Sequence, residues 1–277
     1  MNRRPLALMA LLPWLLTACP RDKTNDEALT AAEASQALEE ATIESQGQAL
    51  ASDNVEIATN FTIGGAVQAA AAELQTFVAS QLPCATLTLV DHTLTIDYGT
   101  TGTCLYHDHT ITGQSQVTIA QNDATQVVVD HKWIALSNGL VKVDGTAEVT
   151  WNKVDPSRHV VHDVTIVRLA DQKTVDSSGD RLQKPLAGGI TEGISVNGTR
   201  QWTSTRGSWD LAIENVEMRW VDPVPQAGQY VLTTPADKKV TLSFLRKDAL
   251  TIAVTLAGPK RSFTFDVTKA GDATQTE

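Results

Sequence analysis

From Cys84 onward, apolar and polar residues alternate with a period of two, and no segment long enough for a crossover helix interrupts them. Leu94, Ile96 and Tyr98 are interleaved with Thr95 and Asp97, and Val240, Leu242 and Phe244 with Thr241 and Ser243. Leu250, Ile252, Val254 and Leu256 repeat the pattern, and Phe263, Phe265 and Val267 follow. Successive side chains of a strand point to opposite faces, so each run carries one apolar face that must be buried. Without helices to carry parallel crossovers, neighbouring runs must pair antiparallel. Turn residues at Asn138-Gly139, Arg246-Lys247-Asp248 and Gly258-Pro259 separate them. The expectation is a mainly β protein: one large antiparallel sheet of about a dozen strands, a meander preceded by one or two N-terminal helices.

Three strands share a further pattern, with a glycine two residues after an inward aliphatic. Ile111-x-Gly113-x-Ser115-x-Val117-x-Ile119 is the first copy, and Val143-x-Gly145-x-Ala147-x-Val149-x-Trp151 the second. Val196-x-Gly198-x-Arg200-x-Trp202, following Ile194, is a looser third. Glycines repeated inside strands admit bends and close neighbours, so the sheet is expected to be strongly curved, as in open or closed barrels. Asp171 to Gly189, containing Ser177-Ser178-Gly179-Asp180 and Lys184-Pro185, alternates little and reads as a mobile excursion between strands.

Upstream of Cys84 the period is helical. Val67, Ala70, Ala71, Leu74, Phe77, Val78 and Leu82 recur at helical spacing until Pro83 ends the run. Residues 20–62 are acidic and Ala-rich, and Thr24-Asn25-Asp26-Glu27 fits a capping box. A helix from there to about Ala51 would have a thin apolar face of Leu29, Ala37, Leu38, Ala41 and Leu50, which reads as a solvated tether with helical tendency.

Arg3 and Arg4 precede an apolar run, Leu6 to Ala18, broken only by Pro13 and Thr17. It is too short to span a bilayer as a helix and suits the h-region of a signal peptide. Its end, Leu16-Thr17-Ala18-Cys19, resembles the lipobox of bacterial lipoproteins. The resemblance implies cleavage before Cys19 by signal peptidase II, a diacylglycerol on the Cys19 thiol and usually a third acyl chain on the new amine. At about 0.8 kcal/mol per buried CH₂, two or three chains anchor a protein almost permanently. The implied partner is a membrane, and the implied location is the bacterial cell envelope, with the outer membrane favoured, facing the periplasm or the exterior. The expected division is a signal peptide over 1–18, a lipidated tether over 19–62, a helix plus antiparallel β domain over 63–268 and a disordered tail over 269–277. Residues 84–268, including Thr95-Ile96-Asp97-Tyr98-Gly99 ahead of Cys104, resemble in style the β-rich lipoproteins of bacterial envelopes.

With Cys19 acylated, Cys84 and Cys104 remain as an even pair, and an exported chain meets an oxidising compartment, so they are expected to form a disulfide. A net charge of −10 without a basic block argues against nucleic acid as a partner. The chain contains no G-x-S-x-G elbow, no H-E-x-x-H, no P-loop and no G-x-G-x-x-G after a strand, which favours a non-catalytic role without a cofactor. His107 and His109, two apart on one strand face, with His131, His159 and His162, are weak candidates for zinc or copper. Asp176 and Asp180 are weaker ones for calcium. Most of these lie among Asp108, Asp130 and Asp163 near strand ends, where solvation accounts for them, so no metal site is expected. Trp133, Trp151, Trp202, Trp209 and Trp220 serve either the core or the lining of an apolar or sugar site. Two roles follow: an envelope lipoprotein presenting a structural or binding surface, or a carrier of hydrophobic ligand in the concave face. The second requires an apolar cavity of several hundred Å³. It parallels the lipoprotein carriers of the bacterial envelope only at the level of fold.

Overall fold

The computed structural model describes residues 30–57, 67–106, 109–219, 221–222, 224–258, 260–269 and 273–276. Helix α1 (Ala31–Ile57) and helix α2 (Val67–Gln81) come first. Nine strands follow: β1 (Thr86–Val90), β2 (Thr93–Tyr106), β3 (His109–Asn122), β4 (Gln126–Ser137), β5 (Val141–Asn152), β6 (Ser157–Arg168), β7 (Lys173–Leu186), β8 (Gly189–Ser204) and β9 (Gly207–Arg219). The chain ends in β10 (Ala227–Thr233), β11 (Lys239–Arg246), β12 (Thr251–Ala257), β13 (Ser262–Thr268) and β14 (Ala273–Gln275). All fourteen strands form one sheet whose spatial order is the chain order, so every pairing is an antiparallel hairpin. The sheet does not close into a barrel: β1 and β14 are its two edges.

The register carries the alternation of the sequence straight across the sheet. Leu94, Val117, His131, Ala147 and His162 stand opposite one another in series from β2 to β6. This row belongs to the face on which both helices lie, α2 against β1–β3 and α1 against β5–β7. Here the buried side chains gather, among them Leu94, Ile96, Val117, Val129, Val143, Val149 and Ile166.

The patterned glycines sit where the sheet is re-aimed. At Gly113 the pairing of β3 with β4 slips between Thr112 and Gln114. Its φ is +89°, and a Cβ there would lie 2.2 Å from the carbonyl oxygen of Ala135. Gly198 occupies the corresponding place in β8, beside a slip between Val196 and Gly198. Its φ is +142°, and a Cβ would meet the carbonyl oxygen of Asp180 at 2.1 Å. No other residue fits either position, and each bulge adds bend and twist to its strand.

Three expectations are corrected. Asp171–Gly189 is no mobile excursion: Lys173–Leu186 is β7, paired throughout with β6 and β8. Its inward positions Ser177, Gly179 and Arg181 are small or polar, which erased the apolar alternation, while the outward Leu182 breaks the pattern on the other face. The tail is not wholly irregular, since Ala273–Gln275 pairs with β13.

The third correction concerns the tether. Ala31–Ile57 is a packed helix in which Ala37, Ile43, Leu50, Ala51, Val55 and Ile57 are buried. Its apolar face looks thin because Glu40, Glu44 and Gln48, four residues apart, are buried on it too. Gly47 lets the helix approach β6 closely; a Cβ there would be 2.4 Å from Cδ1 of Ile166. The helix begins with a capping box one pattern later than expected. Thr30 Oγ1 accepts from the Glu33 amide at 3.2 Å, and Glu33 Oε2 accepts from the Thr30 amide at 2.7 Å. The Thr24–Glu27 motif, like the lipobox and Cys19, lies outside the described residues.

The Cys84–Cys104 disulfide is present and ties the turn after α2 to the buried side of β2. It closes a loop with a sequence separation of 20 residues. Cys84→Ser combined with Cys104→Ser is expected to lower unfolding stability by about 3 kcal/mol, read from urea denaturation beside the oxidised parent. Equal midpoints for the two proteins would contradict a structural role for the bridge.

Candidate functional site

The concave face divides into a part covered by α1 and a part that no helix covers. Beneath α1 the contacts include a set of buried polar pairs. Gln48 Nε2 lies 2.7 Å from His162 Nε2 and 3.4 Å from Ser177 Oγ. Ser177 Oγ donates to Glu44 Oε1 at 3.3 Å, and Glu44 Oε2 accepts from Arg200 Nη1 at 2.7 Å. Near the other end of α1, the buried Asn54 amide donates to the Tyr98 hydroxyl at 2.8 Å. Asn54 Oδ1 accepts the Trp133 indole N–H at 3.0 Å. Burial raises the Tyr98 pKa, so the hydroxyl keeps its proton. On the rim, Glu39 faces Arg168, Lys173 and Arg206. Hydrogen bonds from Lys173, Arg168 and Arg206 hold Glu39 down to about 2. Glu33 reaches Lys238, in the β10–β11 turn, at 2.9 Å.

The arginines of the covered part outnumber its acids. Arg158, Arg181 and Arg200 all face inward, and the register makes Arg181 the diagonal neighbour of the other two. Arg200 has Glu44, and Arg158 Nε donates to Gln183 Oε1 at 2.5 Å while its guanidinium lies 5.0 Å from the Trp151 ring centroid. Arg181 has no acceptor among the described residues, and its Nε is sealed from solvent. Burial first and then the guanidinium of Arg200 hold Arg181 down to about 10; Glu44 opposes them, and Arg158 adds a push weaker than the pull of Glu44. The gap lined by Gln48, Arg158, His162, Arg181 and Gln183 is about 10 Å³, room for about one water. The space under α1 is therefore filled, and a cavity of the size a carrier needs is not found there.

The described histidine side chains do not converge. His107 lies outside the described residues, as does the side chain of His109. His131 and His162 are in one inward row but separated by Ala147, about two strand spacings or 10 Å apart. His159 points outward, with its Nε2 2.6 Å from Asp180 Oδ1. Asp176, also outward on β7, accepts from Thr165 Oγ1 at 2.7 Å. Among the described residues no group of three or more His, Cys, Asp or Glu is placed to hold a metal. The tryptophans are core: Trp133, Trp202 and Trp209 are buried, and Trp202 and Trp209 stack across β8–β9 with centroids 6.1 Å apart. Trp151 is half-buried and Trp220 lies outside the described residues.

Beyond β9 the inward face stays apolar and no helix among the described residues lies on it, although Phe244, Ile252 and Val267 there are buried. Ile194, Val196, Ile213 and Val216 form a second small core, with Leu211 and Tyr230 packed against it. Past it, Leu242 stands opposite both Tyr230 and Leu256, and Leu256 opposite Phe263. Every residue of β10 is half-buried, and Leu256 and Phe263 are each 39% exposed. The opposite face of these strands carries Thr241, Ser243, Thr255, Thr264 and Asp266. Sequence reasoning placed the apolar positions correctly and missed Arg181, whose signal was a basic residue at an inward phase of an unrecognised strand.

Burial pushes both His131 and His162 down to about 3, the nearby arginines adding to it. The unfolded chain binds protons at these rings from about pH 6.5 downward while the native state does not. Stability is therefore complete above pH 6.5 and falls as the pH drops towards 3, by about 1.4 kcal/mol per unit for each ring. Neither nitrogen of His131 has a hydrogen-bond partner. His131→Leu is expected to stabilise the protein and to halve the slope between pH 5 and 6.5, measured by urea denaturation across that range. An unchanged slope would show that His131 is charged or solvated in the native state. Asn54→Leu strands the Tyr98 hydroxyl and the Trp133 N–H, and the same measurement at pH 7.5 is expected to show a loss of about 2–4 kcal/mol; a loss under 0.5 kcal/mol would mean water replaces the amide.

Compared with known proteins, the chain matches no family model, no curated protein and no solved structure.

Proposed function

We propose that this protein is a lipid-anchored component of the bacterial cell envelope, held by acyl chains on Cys19, whose β domain acts by binding rather than by catalysis. The observation that carries the anchor is the run Leu6–Ala18 ending in Leu16-Thr17-Ala18-Cys19. The Cys84–Cys104 disulfide supports it, because such bridges persist in oxidising compartments. Among the described residues no helix is long and apolar enough to cross a membrane, which fits attachment by lipid rather than by a spanning helix. A non-catalytic role is supported by the titratable groups of the concave face. His131 and His162 are held neutral far below physiological pH, and Glu44 is engaged in an ion pair with Arg200.

A second reading, binding of a hydrophobic ligand, is favoured by the unroofed apolar face of β10–β13. It differs from a carrier with an enclosed cavity, since α1 fills the space where that cavity would lie.

The anchor is tested by expressing the parent and Cys19→Ala chains with radiolabelled palmitate, with and without globomycin. The parent is expected to take up label and fractionate with membranes. Cys19→Ala is expected to take up none, and globomycin to accumulate an unprocessed form. Equal labelling and fractionation of parent and variant would end the proposal.

A further inference from the structure

The row of side chains that begins at Arg181 has a composition that selects a ligand. Gly198 stands opposite Arg181, Ile213 opposite Gly198 and Tyr230 opposite Ile213. Leu242, Leu256 and Phe263 continue the row to β13. It thus starts at a cation with no hydrogen-bond acceptor among the described residues, passes a position with no side chain and then runs over apolar side chains. Six strand spacings make it about 29 Å long, ample for a long aliphatic chain. From this geometry we infer that the concave face binds a long-chain carboxylate, with the head at Arg181 and the chain laid across Tyr230 and Leu242 towards Phe263.

Several observations converge on that class. Arg181 presents a planar fork of donors that matches a carboxylate, and its Nε is sealed from solvent with no acceptor. The charge around Arg181 favours an anion: Arg200 also faces inward there, and Glu44, the acid that acts on Arg181, is already paired with Arg200. Tyr230 lies between head and tail, its ring edge-on to Phe244 with centroids 5.6 Å apart. The tail region has the exposure of a binding surface, with Leu256 and Phe263 each 39% accessible. The inference deepens the second reading above, on which it rests, and is independent of the Cys19 anchor.

The test uses the full chain carrying Cys19→Ser, so that no acyl group of its own competes, titrated with cis-parinaric acid and followed by fluorescence. Saturable binding at one site per chain is expected, competed by palmitate but not by hexadecanol or acetate. Arg181→Gln is expected to weaken binding at least tenfold, and Arg181→Lys to restore part of it. Phe263→Ser and Leu256→Ser, changes at partly exposed positions that leave the fold intact, are expected to weaken it several-fold. Unchanged melting temperatures exclude unfolding as the cause. Competition by hexadecanol as strong as by palmitate, or full affinity in Arg181→Gln, would overturn the carboxylate assignment and leave the apolar-ligand reading standing. Absence of saturable binding, or a dimer that persists with probe present and shields Phe263, would overturn both. Loss of palmitate labelling at Cys19 would leave this result untouched.

Discussion

The architecture depends on covering one face of a sheet that is a single layer along its whole width. Fourteen strands in chain order leave an unbroken inward face, and two helices lie on it. α1 is held there as much by charge and hydrogen bonds as by apolar contact: Glu44 to Arg200, Gln48 to His162, Asn54 to Tyr98 and Trp133. Buried polar groups cost stability unless paired, so these contacts fix the register of the helix on the strands as an apolar seam would not. The sheet in turn accepts the helix because Gly47 brings its backbone against Ile166.

That arrangement explains which parts of the chain could be read in advance. The strands from β2 to β6 and β11 to β13 have apolar side chains on the buried phase, and the alternation announces them. The glycines at 113, 145 and 198 are legible for the same reason, since an inward phase holding no side chain stands out against Val and Ile. β7 was hidden because its inward phase holds Ser177, Gly179 and Arg181, and α1 because Glu40, Glu44 and Gln48 occupy its buried stripe. Several of these polar residues meet across the two elements: Ser177 of the strand bonds Glu44 and Gln48 of the helix. Their burial is a property of the pair, which no window on either segment contains.

The same reasoning separates two regions of the concave face. Under α1, acids from the helix meet arginines from the sheet and the space is filled. Arg181 falls at the margin, its Nε sealed from water and with no carboxylate hydrogen-bonded to it among the described residues. On its other side the strands keep the apolar phase of a core without the roof of one. A surface of that kind is costly to leave to water, and its retention across β10 to β13 is most simply understood as the counterpart of something amphipathic.

The chain-order topology also governs how the molecule assembles. Hairpins between adjacent strands close short loops, so the sheet can grow one strand at a time as the polypeptide emerges. α1 is the exception, because it is made first and its acids find Arg168, Arg200 and Arg206 only after more than a hundred residues have followed. Its carboxylates and its capping box keep the helix hydrated and intact during the wait. The docking of α1 therefore waits for the strands it covers, and until then the inner face of β5–β7 is open to chaperones, to other chains and to any amphiphile at hand.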